Sequence, residues 1–327
     1  MNIDEVVGAA ARLWGIDTAG SSVIVDGVTT TVRLPAADAA LHVLREGTTR
    51  ARVLALQIAR GRLADEGVPV VGLMPSVAGR TWEHVEDRIL EVEDWVDHDG
   101  QMNTWERLRR GSPLLAAVHN IWADLDLGAD GEACDWANWI APSQVAAKTA
   151  AAVETLNRWR LGDLAHDVEQ LAALTRAEIA PLPHQVVHGD FWDDNVYVRG
   201  EDIVAVTDFD FLGRRPRIDD LALMLYFADE QPYFAGSEYR SAEVRRADLA
   251  PLVTGYTHRL ENPLTDAELT ALPYALARQP MWTYAKWALE HPDQDRAKED
   301  AIATAAAVGR ALEILGDPDV WSHTFSQ

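Results

Sequence analysis

Cysteine is almost absent from this sequence, since Cys134 is the only one among 327 residues. A single cysteine excludes a disulfide framework, and with an N-terminus unlike a signal peptide it predicts a reducing, cytoplasmic location. Long apolar runs are absent too, because no stretch approaches the roughly 18 uninterrupted apolar residues of a membrane-spanning helix. The 48% of apolar residues therefore predict a buried core and no membrane partner.

Positive charge is also scarce. The chain has 29 lysine and arginine residues against 52 acidic ones, which gives a net charge of -23. Such an acidic field disfavours nucleic acid as a partner and favours cationic small molecules, although it would also serve solubility alone. Lysine occurs only at positions 148, 286 and 298, so the first 147 residues contain none.

Strand patterns lie early in the chain, and helical patterns fill the rest. The predicted early elements are helices at 4–14 and 49–65 and strands at 23–25, 29–34, 41–45, 70–74 and 89–95. The predicted later elements are strands at 185–187, 196–198 and 203–206 and helices at 103–120, 143–159, 163–179, 220–227, 241–260 and 295–315, with a capping box at 265–268. The loop 97–100 predicts a boundary between a small β-rich lobe, 1–97, and a large, mostly helical lobe, 98–327.

One motif carries recognisable chemistry. His-Gly-Asp-x4-Asn spans residues 188–195, and Asp-Phe-Asp follows at 208–210 after a short apolar hairpin. In a kinase-type site one carboxylate meets the substrate hydroxyl, while an amide and a second carboxylate hold Mg²⁺ against the nucleotide phosphates. Asp190, Asn195 and Asp208 have the chemistry for these three roles, whereas an acidic β-turn without function is the alternative.

This motif resembles that of the aminoglycoside phosphotransferase-type kinases, a group that also contains choline kinases and type II homoserine kinases. The resemblance covers nearly the whole chain, and its specific part is residues 185–226. It implies an α+β, bilobal protein-kinase-like fold, with a small β-rich N-terminal lobe that binds ATP or GTP and a large helical C-terminal lobe that carries the catalytic loop and the acceptor pocket. The family order of strands first and helices later agrees with the order of the patterns.

The resemblance assigns roles to five residues of the second lobe. Asp190 would be the catalytic carboxylate that orients the acceptor hydroxyl, and Asn195 and Asp208 would bind Mg²⁺. His188 would support the loop as a structural residue. Asp220 would hold the loop through backbone N–H groups at the start of a helix, or would only cap that helix.

The nucleotide contacts of the first lobe are less distinct. The turn that contains Gly27 and Thr29 would face phosphates, although an ordinary hairpin would look the same. The expected strand-borne lysine is missing, and Arg45 is the best substitute because a guanidinium can hold phosphate oxygens. Gln57 stands where a glutamate partner is usual, so we expect Arg45 to pair with Gln57 or with an acid such as Glu46.

The segment 93–96 resembles the hinge that meets the adenine edge. Backbone groups of Glu93 and Trp95 would make this contact, or Trp95 would belong to the core.

Acceptor contacts are expected from late aromatic and acidic residues. Trp282 and Trp287 would line the acceptor pocket, or would only pack between helices. Glu290 would bind an amine-bearing acceptor, or would belong to a solvated helix end. Asp193 lies beside the catalytic motif as a further candidate for acceptor contact, or as a solvated carboxylate.

The sequence thus predicts an enzyme that transfers the γ-phosphoryl group of ATP to a hydroxyl of a small, cationic molecule with Mg²⁺, as a monomer or homodimer. An antibiotic of aminoglycoside or related type is the leading acceptor, which would make it a resistance enzyme. A metabolic kinase for homoserine, choline or a sugar is the alternative. The missing lysine and glutamate keep open a pseudokinase that binds a nucleotide or a partner.

Overall fold

The computed structural model of the chain describes residues 3–26, 29–133, 139–140, 144–176, 182–230, 240–291 and 293–327. The chain folds into two compact units. The first comprises Met1–Asp99 and Tyr197–Thr207, and the second comprises Gly100–Val196 and Asp208–Gln327. No sequence signal assigned 197–207 to the first unit, and the division into lobes at residue 97 stays a prediction.

The first unit begins with one helix, a three-stranded meander and a second helix, followed by a hairpin. These elements are α1 (Ile3–Trp14), β1 (Ser22–Asp26), β2 (Thr30–Leu34), β3 (Ala39–Val43), α2 (Arg50–Asp65), β4 (Glu83–Val85) and β5 (Arg88–Asp94). The strands form one antiparallel sheet in the order β1-β2-β3-β5-β4. The helices predicted at 4–14 and 49–65 are confirmed, and so are the first three predicted strands, the third of which lies two residues earlier in the chain.

The predicted strand at 70–74 is wrong. Val70 and Leu73 make isolated β-bridges instead of a continuous ladder. Pro69 and Pro75 flank this segment, and proline has no N–H group to donate to a ladder.

The two faces of the sheet differ in polarity because side chains alternate along each strand. One face carries apolar residues that pack on α1, whose Val6, Ala10 and Trp14 are buried against it. The opposite face meets α2 and carries acidic residues of β5: Gln57 Nε2 donates to Glu91 Oε1, and Arg60 Nη1 donates to Glu93 Oε1 over 2.7 Å. This face of β5 is thus polar, although a helix covers it.

The pKa values of the two β5 glutamates are shifted in opposite directions. Burial raises the pKa of Glu91 to about 6, against the lowering effect of the hydrogen bond from Gln57. Burial would also raise the pKa of Glu93, but the positive charges of His42 and Arg60 outweigh it and lower that pKa.

We expect Glu91→Gln to stabilise the protein at pH 7.5 by about 2 kcal/mol, since each unit of pKa shift corresponds to about 1.4 kcal/mol. A carboxyl whose pKa is raised on folding makes its full contribution to stability below its unfolded pKa of about 4.3. That contribution is lost as the pH rises through about 6, its pKa in the folded protein. Urea denaturation at pH 5 and pH 7.5 measures the difference between variant and wild type, which should be larger at pH 7.5. An equal difference at both values, or a similar gain in the exposed control Glu66→Gln, would contradict the prediction.

The chain after Asp99 is mainly helical. In order, its elements are β6 (Gly100–Gln101), α3 (Trp105–Ile121), α4 (Val145–Arg158), α5 (Gly162–Arg176), β7 (His184–Val187), β8 (Val196–Arg199), β9 (Asp202–Val206), β10 (Gly213–Pro216), α6 (Arg217–Glu230), α7 (Ala242–Arg259), α8 (Asp266–Arg278), α9 (Ala288–Glu290), α10 (Gln294–Ala303), α11 (Ala305–Gly316) and α12 (Pro318–Phe325). A π-helical segment, Thr283–Trp287, precedes α9.

Helix termini follow the local sequence in some places and not in others. The capping box of α8 is confirmed, because the hydroxyl of Thr265 and the carboxylate of Glu268 each accept the other's backbone N–H. The single helix predicted at 295–315 is wrong, since it divides into α10 and α11 at Thr304. Pro113 does not break α3, which runs through it. No helix within the described ranges is long and apolar enough to cross a membrane.

Candidate active site

The His-Gly-Asp motif lies in a loop whose two ends are fixed by strands. β7 pairs antiparallel with β10, and Val187, the residue before the motif, lies opposite Gly213. The motif ends in a short 3-10 turn, Asp193–Asn195, which leads directly into β8. Strands thus position both ends of a segment that is itself irregular, as is common for active-site loops.

Two backbone conformations shape this loop and its neighbour. Gly189 has φ of +81°, and a Cβ atom added there would lie 2.1 Å from the backbone oxygen of Phe211. Only glycine fits this close approach to backbone that cannot move aside. Asp208 also has a positive φ, 57°, a conformation that is uncommon for residues other than glycine and often marks functional sites.

Asp220, in the first turn of α6, anchors the loop through hydrogen bonds to its backbone. Its Oδ2 accepts the backbone N–H of His188 over 2.8 Å, and its Oδ1 accepts that of Gly189 over 2.7 Å. Because α6 begins at Arg217, Asp220 is not the N-cap of its helix. Its carboxylate binds the loop backbone instead, and the residue is only 1% exposed.

A second buried group extends this anchor. His119 of α3 lies with Nε2 3.1 Å from Asp220 Oδ2 and with Nδ1 2.6 Å from the hydroxyl of Tyr256. Burial would raise the pKa of Asp220, but the hydrogen bond and charge of His119 outweigh it and lower that pKa. Burial raises the pKa of Tyr256 well above its usual range, so its hydroxyl keeps its proton. An ionised Asp220 carboxylate can only accept, so His119 donates to it from Nε2.

Asn195 is oriented by Asp190. Its Nδ2 donates to the backbone oxygen and to Oδ2 of Asp190, both over 2.8 Å. Both partners are oxygen acceptors, so only the amide nitrogen can occupy this side. The amide oxygen of Asn195 is therefore directed away from Asp190, as a metal ligand would need.

Asp190 and Asp208 lie close enough to affect each other's ionisation. Burial, and next the charge of Asp208, raise the pKa of Asp190 well above its usual range, while the hydrogen bond from Asn195 acts in the opposite direction. Carboxylates that repel each other favour a cation between them.

The donor set fits Mg²⁺. Carboxylate and amide oxygens are hard ligands, and Mg²⁺ is usually held by one or two carboxylates together with phosphates and water. Within the described ranges, no group of three or more His, Cys, Asp or Glu residues forms a metal cage. Asn195 and Asp208 would instead hold the ion jointly with a phosphate-bearing substrate.

His188 is fully buried, and its Nδ1 accepts the backbone N–H of Asp190 over 3.3 Å. Its ring lies against those of Phe191 and Phe209. These contacts are the ones that a loop-supporting residue would make.

A match to a family model identifies the family of this protein. Residues 24–256 match the model described as "Phosphotransferase enzyme family". The chain belongs to the phosphotransferase enzyme family. The family predicted from the His-Gly-Asp motif is confirmed.

Solved structures are similar to this phosphotransferase over nearly its whole length. The amicoumacin kinase hAmiN, in complex with AMP-PNP, Ca²⁺ and Ami, has a TM-score of 0.73 at 16% identity, over 96% of this chain and 93% of that one. The microcompartment-associated aminopropanol kinase has a TM-score of 0.70 at 17% identity, over 97% and 98%. The predicted α+β kinase-like fold is confirmed.

In sequence, the phosphotransferase matches a homoserine kinase of Parvibaculum lavamentivorans at 32% identity over 105 residues, which is 32% of this chain and 30% of that protein. The chain spans about a third of the length of the curated relatives that it matches.

The nucleotide contacts expected in the first unit of the phosphotransferase stay predictions. Gly27 lies outside the described residues, and Thr29 directly precedes β2. Arg45 follows β3, and its backbone oxygen accepts the N–H of Thr48 over 3.1 Å. Gln57 bonds to Glu91 and to the hydroxyl of Thr81, whereas Glu46 pairs with Arg88 over 3.3 Å.

The hinge prediction is not supported at Glu93. The backbone N–H of Asp94 donates to the backbone oxygen of Gly72, and that of Met74 donates to the backbone oxygen of Val92. Successive residues of a strand direct their backbone groups to opposite edges, so those of Glu93 face Ala40 of β3. Trp95 directly follows β5 and is partly exposed, which disfavours the core alternative. Its ring lies 4.0 Å from the Arg33 guanidinium, and its role at adenine stays a prediction.

The residues that the sequence predicts to contact the phosphoryl acceptor have different surroundings in the structure. Trp282 lines a pocket, whereas Trp287 donates its indole N–H to Asp300 Oδ2 over 2.8 Å and stacks on Trp282 from outside the lining. Glu290 pairs with Lys148 over 2.8 Å, so its charge is already matched. Asp193 is 3% exposed, which rules out the solvated alternative for it.

Among the pocket residues that sequence reasoning missed are three that hydrogen-bond to one another. Trp139 Nε1 donates to Asp219 Oδ2 over 3.1 Å, and Arg278 Nη2 donates to Asp219 Oδ1 over 2.9 Å. Asp219 is adjacent to Asp220, which was the only available signal. The other two residues lie 80 and 59 positions away in the chain, so no local pattern could have found them.

Proposed function

We propose that this phosphotransferase transfers the γ-phosphoryl group of ATP to a hydroxyl of a small molecule. The observation that carries the proposal is the arrangement of Asp190, Asn195 and Asp208 on one loop and its neighbouring turn. Asp190 would orient the acceptor hydroxyl and accept its proton, which is the role that its raised pKa and its fixed position suit.

Asn195 and Asp208 would hold Mg²⁺ in this proposal. The ion, when bound, neutralises charge on the phosphates. The residues of the chain contribute mainly alignment: Asp220 and His188 fix the loop backbone, and Asn195 fixes the carboxylate of Asp190. The first unit would contribute the nucleotide contacts, with Arg45 in place of the usual lysine and Trp95 beside the adenine.

The acceptor is proposed to be an antibiotic, with a metabolic alcohol as the second candidate. The likeness to amicoumacin kinase supports the first class. The likeness to aminopropanol kinase and the partial match to homoserine kinase support the second. The pairing of Glu290 with Lys148 removes one argument for a cationic acceptor.

An assay of ADP release from ATP in the presence of Mg²⁺ tests the proposal. The purified protein is assayed against a panel of aminoglycosides, other hydroxylated antibiotics, amino alcohols, hydroxy amino acids and sugars, with EDTA controls. Acceptor-dependent ADP release that EDTA abolishes supports it. No turnover with any member of the panel would contradict the proposed transfer to these classes of acceptor.

The pseudokinase alternative is separated by binding rather than turnover. We expect ATP to raise the melting temperature substantially only when Mg²⁺ is present, because Asp190 and Asp208 repel each other without a cation. A response that is independent of Mg²⁺, or no response, would favour a non-catalytic module.

A further inference from the structure

A buried arginine lies where the two segments of the candidate active site meet. Arg215 of β10 is 3% exposed, and a cation buried to this extent needs partners within the protein. It comes shortly after the turn that begins at Asp208, and it lies opposite Gln185 of β7, the strand that leads into the catalytic loop. Its strand is thus continuous with the Asp208 turn and paired with the strand before the loop.

The backbone oxygen of Phe211 is the point at which the two segments touch. Phe211 ends the short 3-10 turn that follows Asp208. Arg215 Nη2 donates to this oxygen over 2.7 Å. A Cβ atom added to Gly189 would overlap both the oxygen and Nη2, so the loop backbone packs directly on this hydrogen bond. The bond therefore fixes the end of the Asp208 turn against the residue that precedes Asp190.

The guanidinium is itself held in place. Its central carbon lies 5.6 Å from the centroid of the Trp139 ring, which is within the range of a cation–π contact. Trp139 Nε1 donates to Asp219 Oδ2, and Asp219 Oδ1 accepts from Arg278. Arg215 is thus positioned by an aromatic ring whose own position is fixed by hydrogen bonds.

Arg215 also acts on the carboxylate that anchors the catalytic loop. Burial would raise the pKa of Asp220, whereas the hydrogen bond and charge of His119 lower it, and the charge of Arg215 acts in the same direction as His119. The same cation therefore braces the Asp208 turn and favours the ionised form of the carboxylate that accepts the N–H groups of the loop.

We infer that Arg215 is a positioning residue for the magnesium site, because it sets the distance between Asp208 and the loop that carries Asp190 and Asn195. The inference rests on the proposed function, since it takes Asn195 and Asp208 as joint ligands of Mg²⁺. Two ligands on separate segments hold one ion well only when the spacing of the segments is fixed, and Mg²⁺ tolerates little departure from octahedral geometry. A residue outside the ligand set can thus control the affinity of the site.

The Mg²⁺ concentration that gives half of the ATP-induced rise in melting temperature tests the inference. It is measured on the full-length protein at one fixed ATP concentration. We expect Arg215→Met, which removes both the charge and the donor, to raise it by at least ~10-fold, the usual effect of losing an outer contact of a metal site. Arg215→Lys keeps the charge but not the flat guanidinium, and should raise it by about 3-fold. A merely structural role would lower the melting temperature without nucleotide and leave the Mg²⁺ requirement unchanged.

Arg214→Met is the matched control on the same strand. Arg214 is the neighbouring residue, and its Nη2 donates to the backbone oxygen of His184 instead of that of Phe211. Its loss should change the Mg²⁺ requirement by less than about 2-fold.

A second pair of variants tests the same contact without changing Arg215, in case Arg215→Met does not fold. Trp139→Phe and Trp139→Leu both remove the N–H that bonds to Asp219, but only Trp139→Leu removes the ring beside the guanidinium. Trp139→Leu should therefore need about 2- to 3-fold more Mg²⁺ than Trp139→Phe.

An unchanged Mg²⁺ requirement in folded Arg215→Met, an equal rise in Arg214→Met, or equal requirements in the two Trp139 variants would overturn the inference. The two proposals fail separately. Magnesium-dependent ATP binding that Arg215→Met weakens, without phosphoryl transfer by the wild type to any member of the panel, would contradict the proposed function and keep the role of Arg215. Transfer by the wild type, with the same Mg²⁺ requirement in Arg215→Met, would do the reverse.

Discussion

Asp190→Asn is expected to lower phosphoryl transfer by at least ~10²-fold, the lower end of what a positioned general base contributes. The amide has nearly the same shape as the carboxylate, so its oxygen can still accept the hydrogen bond from Asn195 Nδ2. It cannot accept a proton from the acceptor hydroxyl. The loss should therefore appear in the turnover number, measured as ADP release at saturating ATP.

The same substitution should not destabilise the fold. It removes a negative charge beside Asp208, whose repulsion contributes to the raised pKa of Asp190, so the melting temperature of the variant without Mg²⁺ should equal or exceed that of wild type. Asp194→Asn is the matched control in the same loop, because its carboxylate belongs to none of the contacts that orient Asp190. Near-normal turnover in Asp190→Asn, or an equal loss in the control, would remove Asp190 from the proposed role.

The parts of this site that could be predicted from sequence are those encoded within a short stretch. Gly189, Asp190 and Asn195 lie within seven positions, and the tight loop brings them together through its own backbone conformation. Periodicity likewise predicted α1, because its buried residues Val6, Ala10 and Trp14 recur on one face of the helix.

The parts that could not be predicted depend on distant residues. His119 reaches Asp220 across 101 positions, and nothing in the sequence around either residue indicates the pair. Arg278 and Trp139 meet Asp219 in the same way. Sequence patterns also failed to locate one helix boundary: the Ala-rich pattern at 295–315 continues through Thr304, although α10 ends and α11 begins there.

Asp220→Asn is expected to lower the free energy of unfolding by about 2–4 kcal/mol, because hydrogen bonds to a charged group contribute about 1.5–3 kcal/mol each and a buried N–H left without an acceptor adds to the loss. The carboxylate accepts N–H groups on both oxygens, from His188 and His119 at Oδ2 and from Gly189 at Oδ1. An asparagine has one acceptor and one donor group, so either orientation directs its NH₂ at an N–H. The loop then loses at least one anchor, and turnover should fall as well.

Urea denaturation measures the loss of stability, with the exposed Asp124→Asn as a charge-matched control. His119→Phe removes only one of the donors to Asp220, so its cost should be smaller, about 1–3 kcal/mol. Because His119 lowers the pKa of Asp220, the stabilisation is present above pH ~4, the ordinary pKa of an aspartate, and is lost only as the pH falls below it. Equal stability of Asp220→Asn and wild type at pH 7 would mean that the loop is held by its strands alone and that the carboxylate beneath it is dispensable.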